Sequence, residues 1–264
     1  MIKKGVLSLL LMGLSCFLSL EVLAAANSLE GDGSVKVTGS ERTDPVDPEK
    51  PGEPVDPGEG PSTEGPLRMD FISSLRFGEA TITKSDRQYY ALAQQFYDET
   101  EPRGSYVQIT DQRGDVSGWS LQVKQTHQFT NPVIQNVAEQ DLKGAVLSLD
   151  KGWANTNGTS QAPVVSRETI KLNEIDAAYD VAKAATGSGK GIWTIAFGAS
   201  GTNEDNQENT LAPVLDDRGK SVSDELYKKP AYSNSAISLS VPDSTKIYPV
   251  QYQTELTWIL AELP

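Results

Sequence analysis

From residue 67 onward, apolar side chains recur at every second position in short runs, with Gly, Pro, Asn and Asp between the runs. Alternation with period two turns successive side chains to opposite faces of a strand, so each run reads as a half-buried β-strand. Phe71 to Phe77 is one such run, and Thr81-Ile82-Thr83 begins a second. Ser105 to Thr110, Trp119 to Gln125, Ala145 to Leu149, Ile192 to Phe197 and Ala236 to Val241 follow. Lys246 to Tyr252 and Thr254 to Leu260 complete the series. Many short strands separated by turn residues predict an all-β domain, sandwich-like or barrel-like, with room for short helices. Two stretches depart from the period. Asp86 to Tyr97 is rich in Gln, Ala and Tyr and reads as a helical turn. Leu172, Ile175, Tyr179 and Ala182 are spaced as on one helix face, which leaves 172–185 open between helix and strand.

The residues before the domain divide in two. Lys3 and Lys4, an apolar run from Val6 to Leu20 and the small residues Ala24-Ala25-Ala26 read as a secretory signal peptide over 1–26. The run is short for a membrane span, so no membrane insertion is expected after cleavage. Residues 27–66 read as a polar segment and linker. From Asp44 to Pro61, proline stands at nearly every third position among acids, which disfavours helix and sheet and extends the chain. No fixed structure is expected there. The domain is expected to span 67–264.

Composition narrows the chemistry. The 264-residue chain has 23 Lys+Arg against 36 Asp+Glu, a formal net charge of −13, and cleavage of 1–26 would leave it more negative by one. That balance disfavours nucleic acid and anionic polymers, whose binding rests on neutralising phosphates. Cys16 is the only cysteine and lies in the leader, so the mature chain is expected to have no disulfide, thiol nucleophile or cysteine metal ligand. His127 is the only histidine, with no nucleophile motif beside it. Gly187-Ser188-Gly189-Lys190-Gly191 lacks the spacing of a phosphate loop and reads as a turn. The oxygen-rich loops Asn203–Asn209 and Asp216-Asp217 are open to calcium but match no EF-hand. The expectation is a protein without catalytic residues, cofactor or metal; a wall hydrolase is the distant alternative.

The most informative pattern is a pair of Trp-x-Leu triplets. Trp119 and Leu121 share one face of a strand with Val123, and Tyr252, Leu256, Trp258 and Leu260 share a face near the carboxyl terminus. A sugar-stacking platform and a packed core are both compatible with this spacing. Packing is favoured, because a leucine beside the ring adds nothing to sugar stacking and much to burial. Both indoles are therefore expected buried, on neighbouring or facing strands, within about 12 Å of each other. Trp153, in a polar Gly/Asn setting, is the expected exposed aromatic for ligand.

Gly118-Trp119-Ser120-Leu121-Gln122-Val123 and Tyr252-Gln253-Thr254-Glu255-Leu256-Thr257-Trp258-Ile259-Leu260, with Pro264, resemble the two halves of the WxL domain signature of Gram-positive surface proteins. The resemblance covers about 67 to 264. It implies non-covalent attachment to peptidoglycan and a partnership with membrane-anchored surface proteins encoded beside WxL proteins. No LPxTG sorting motif or hydrophobic basic tail is present, so retention at the cell surface is expected to rest on binding. A structural subunit of a surface complex is the rival reading.

Overall fold

A computed structural model describes residues 42–85, 87–114 and 117–263. The leader expected over 1–26 and the segment up to residue 41 lie outside the described residues. Among these residues the chain forms seventeen strands and one 3-10 turn, Val137–Glu139. In chain order they are β1 (Val46–Asp47), β2 (Lys50–Pro54), β3 (Leu67–Ile72), β4 (Gln88–Leu92), β5 (Ser105–Asp111) and β6 (Trp119–Gln125). Next come β7 (Val146–Leu149), β8 (Gly152–Asn155), β9 (Val164–Val165), β10 (Ile170–Leu172), β11 (Tyr179–Ala184) and β12 (Gly191–Phe197). The last are β13 (Leu211–Pro213), β14 (Ser223–Asp224), β15 (Lys229–Pro230), β16 (Tyr232–Ser240) and β17 (Leu256–Glu262).

Three antiparallel sheets enclose one core. Their strand orders are β3-β5-β12-β8, β17-β6-β11-β9, and β10-β7-β16-β13 with β4 also pairing β16. Every order is open, so the all-β expectation holds and no sheet closes into a barrel. Each sheet sends its apolar alternate positions inward: Val107, Ile109, Ile195 and Phe197 from the first, Trp119, Leu121 and Val123 from the second, Leu147, Leu149 and Ile237 from the third. Burying such side chains contributes roughly 1.5–3 kcal/mol each, which is what holds three sheets on one core.

Several expected elements fall elsewhere. Residues 172–185 form the end of β10 and β11, so the helical spacing is overridden: Tyr179–Ala184 finds β6 on one side and β9 on the other, and a bulge between Asp180 and Ala182 takes up the extra residue. The helical turn expected in 86–97 is instead β4, paired to β16. The first expected strand ends at Ile72 rather than Phe77, and Thr81–Thr83 and Lys246–Tyr252 form no strand.

The largest correction concerns the acidic proline-rich stretch. Residues 44–58 are not free chain but a strap laid across the outer face of the β3-β5-β12-β8 sheet. Every residue of β5 is buried, on both faces. Gln108, whose side chain points away from the core, accepts a hydrogen bond from the Val46 N–H at 2.8 Å and donates to the Asp44 carbonyl at 3.1 Å. Asn155 donates to the Pro48 carbonyl at 3.1 Å. Asp47 takes a two-point contact from Arg103, at 2.8 and 2.9 Å. Glu49 accepts from both the Ser200 N–H and its hydroxyl at 2.6 Å. Asp47, Glu49 and Arg103 are all buried. The acids were expected to repel one another into solvent. Arg103 and the donors of the sheet's polar face hold two of them instead, and β1 and β2 pair with each other despite the prolines.

Candidate functional site

The paired tryptophan strands come first, since the sequence marks them. On β6, Trp119, Leu121 and Val123 alternate inward and are fully buried. The Trp119 indole N–H donates to the Gly189 carbonyl at 3.1 Å, and the Trp193 indole N–H donates to the Lys190 carbonyl at 3.0 Å. The glycine-rich turn 187–191 is therefore a cap for two buried indoles. Gly189 sits at φ +72°, and a Cβ there would lie 2.5 Å from Trp119 Nε1 and 2.5 Å from the Ala184 Cβ, so this position admits no side chain.

Leu256, Trp258 and Leu260 on β17 stand opposite Gln125, Val123 and Leu121 of β6. They pack against the core but are only half-buried, because β17 is an edge strand with β6 as its one ladder partner among the described residues. Trp258 lies 6.3 Å, ring to ring, from Phe197. Tyr252 is half-buried and its hydroxyl accepts from the Tyr248 N–H at 3.0 Å. Neighbouring strands carry the two indoles as expected, but Trp258 is less buried than expected. Trp119 faces Glu262 rather than Trp258, a displacement of four residues along the ladder. Trp119, with no exposed surface, has none to offer a ligand.

Trp153, expected exposed, is buried on β8. It packs with Val55, Phe71, Phe96 and Tyr106 beneath the strap, and its indole N–H donates to the Gly198 carbonyl at 2.9 Å. The polar Gly/Asn context misleads because Gly152 marks a close approach: a Cβ there would meet the Ser166 carbonyl at 2.9 Å. His127 is exposed, its Nδ1 3.0 Å from the Gln128 carbonyl. The 203–209 loop closes on itself, with Asn203 bonded to Ser200 and Gln207. Asp205 accepts from Asn155 at 3.1 Å, and its carboxyl is raised above its usual range by burial and by the charges of Glu204 and Asp47. Among the described residues no three Asp, Glu, His or Cys side chains converge on a metal position.

The feature that sequence reasoning missed is a groove of about 850 Å³ beside the strap. One wall is the strap itself, including Asp44, Pro45, Pro54, Asp56 and Pro57, with Glu59 just beyond it. Phe71, Ile72, Arg76, Ala93, Tyr97, Asp98, Leu226 and Tyr227 complete the lining. Local chemistry fixes the tyrosines. Gly58, at φ +80°, lets the backbone lie against the Tyr97 ring, where a Cβ would come within 2.8 Å. The Tyr97 N–H donates to the Asp56 carbonyl at 2.7 Å. Tyr227 donates to the Pro57 carbonyl at 2.8 Å and accepts from Gln94 at 2.9 Å. The two tyrosine rings stack at 4.8 Å with a 47° tilt, yet Tyr97 remains 50% exposed.

Electrostatics in the groove are lopsided. Arg76 lies 5.5 Å from the centre of the Tyr227 ring and makes a two-point contact with Asp224 at 3.0 and 2.7 Å. Burial alone would push the Asp224 carboxyl up, but the Arg76 hydrogen bond and the Leu226 and Tyr227 N–H groups outweigh it and hold it below its usual range. Asp98 is likewise lowered: burial opposes, and hydrogen bonds from Thr100 and from the Asp56 N–H, with the Lys229 charge, prevail. Below, the Tyr106 ring packs 4.9 Å from Phe71, and its hydroxyl is buried with no hydrogen-bond partner among the described residues. An unmet buried hydroxyl costs about 1–3 kcal/mol. Burial raises its pKa well above the ordinary tyrosine value, with Asp47, Tyr227 and Asp98 adding to the shift.

Open antiparallel sheets around one core, with a groove lined by tyrosines and acids beside the strap, define an all-β domain. The chain belongs to the WxL domain family, described as surface cell wall-binding, whose family model matches residues 24–264. No curated protein and no solved structure matches it.

Proposed function

We propose that the protein is exported and held at the surface by non-covalent binding to peptidoglycan, acting by adhesion rather than turnover. The observation that carries this reading is the match to a surface cell wall-binding family over nearly the whole chain. The net charge of −13 supports a ligand other than the anionic wall polymers. The test is co-sedimentation of purified protein with peptidoglycan stripped of protein and of anionic polymers. Folded protein that stays in the supernatant sinks the reading.

A second reading, a subunit docked on a membrane-anchored surface protein, is favoured by one specific feature. Among the described residues β17 has a ladder partner on one side only, and a strand edge of that kind accepts an added strand from another chain. Sedimentation that occurs only when the partner is added to the stripped walls favours this reading over the first.

A further inference from the structure

We propose that the groove beside the strap is the saccharide-binding site of the domain, taking a neutral, β-linked pyranose oligosaccharide along the Tyr97–Tyr227 pair. This rests on the wall-binding reading and assigns it a place. The volume, about 850 Å³, lies in the range of small-molecule sites and suits several sugar rings rather than one.

Two observations point to saccharide. First, Tyr97 keeps half of its surface in contact with solvent although its ring is held on one side by Tyr227 and its backbone by Asp56. A rigid, exposed aromatic of this kind offers the apolar C–H face of a pyranose a partner without loss of side-chain freedom. Second, Asp56 at the end of the strap and Glu59 just beyond it line the groove with exposed carboxylates, one Asp56 oxygen accepting from the Gly58 N–H at 3.0 Å. Carboxylates accept from adjacent sugar hydroxyls in charge-assisted hydrogen bonds, and they repel anionic polymers.

A peptide fits less well. Extended peptides bind by pairing main chain to main chain, and along the strap wall Pro45, Pro54 and Pro57 have no N–H to donate while the N–H groups of Val55, Asp56 and Gly58 are already donated to Pro45, Asp98 and Asp56. The strap therefore supplies side-chain acceptors and a close backbone approach at Gly58, not a strand edge.

The experiment titrates the full protein calorimetrically with a soluble β-1,4-linked N-acetylglucosamine hexasaccharide, and separately with a lysine-containing stem peptide. The expected result is saturable binding of the saccharide alone. Tyr97→Ala weakens it about tenfold or more in a protein that near-ultraviolet dichroism shows to be folded, and Glu59→Gln weakens it by a few-fold. Absence of saccharide binding, or binding that both variants leave untouched, overturns the proposal, as does binding of the stem peptide instead. Stripped peptidoglycan separates the two levels. A Tyr97→Ala protein that sediments like the wild type overturns the groove assignment and leaves the wall-binding reading standing. A wild-type protein that binds the hexasaccharide but does not sediment does the reverse.

Discussion

The two faces of the β3-β5-β12-β8 sheet are buried by opposite means. Toward the core, Val107, Ile109, Ile195 and Phe197 meet the other two sheets in a dry, apolar interior. Away from it, Gln108, Thr110 and Thr194 are just as buried, but under a strap of prolines and acids. There Asp47 and Glu49 share Arg103, while Arg68 pairs with Asp70 at 2.8 Å with both side chains almost wholly shielded. An apolar face is stabilised by the area it buries and by close packing. A polar one contributes little unless every group is met, and removing one member leaves its partners stranded. The sheet thus has one face that sets stability through size and another that sets it through completeness.

That contrast is breakable by substitution. Trp119→Ala empties the largest fully buried side chain of the core and should cost about 5 kcal/mol, read from urea unfolding; a loss under about 2 kcal/mol would show that the interior collapses around the gap. Arg103→Ala strands Asp47 and Glu49 and should cost about 3–4 kcal/mol while opening 44–58 to proteolysis. Arg103→Met combined with Asp47→Leu should recover at least half of that loss, because the charge and its partner leave together. If the double variant is no better than the single one, net pairing is not what holds the strap. Gly189→Ala should cost about 1–3 kcal/mol by forcing a positive φ on alanine and a clash with the Trp119 indole, with the near-ultraviolet dichroism of the indoles changed.

The smallest effect concerns pH. Asp224 is held below its ordinary value of 3.8, so its contribution is present in full above that pH and is lost as pH falls through the depressed folded value. The melting difference between wild type and Asp224→Asn should therefore be constant from pH 5 upward and shrink below about pH 4. Persistence of the full difference in stronger acid would mean that the Arg76 contact does not govern this hairpin.

Alternation made the apolar face readable. β6 begins and ends where the pattern of Trp119 to Gln125 places it, and β12 and β5 lie within a residue of their expected limits. The same pattern is silent about what covers the polar alternates, so the burial of Gln108 and Thr110 was not legible in it. Val46 and Val55 were the available signal: two lone apolar residues in an acidic, proline-rich run, both buried. Residues 172–185 carried helix spacing but lie between two strands, a tertiary fact no local window contains. The groove was invisible for a similar reason, since Tyr97 and Tyr227 meet only through the fold. Trp153 was misread because glycine and asparagine beside an aromatic suggest a loop, when here they mark tight packing.

The β6–β17 ladder also has a consequence for how the protein comes into being. Val123 and its opposite residue, Trp258, are separated by half the length of the chain. A polypeptide made from its amino end offers the first Trp-x-Leu strand long before its mate is synthesised, so the middle sheet keeps a vacant berth through most of translation. Assembly of so distant a pair is slow, and the waiting strand is exposed to wrong neighbours. The second tryptophan triplet thus works as a latch: its arrival fills that berth and closes the β6–β17 ladder.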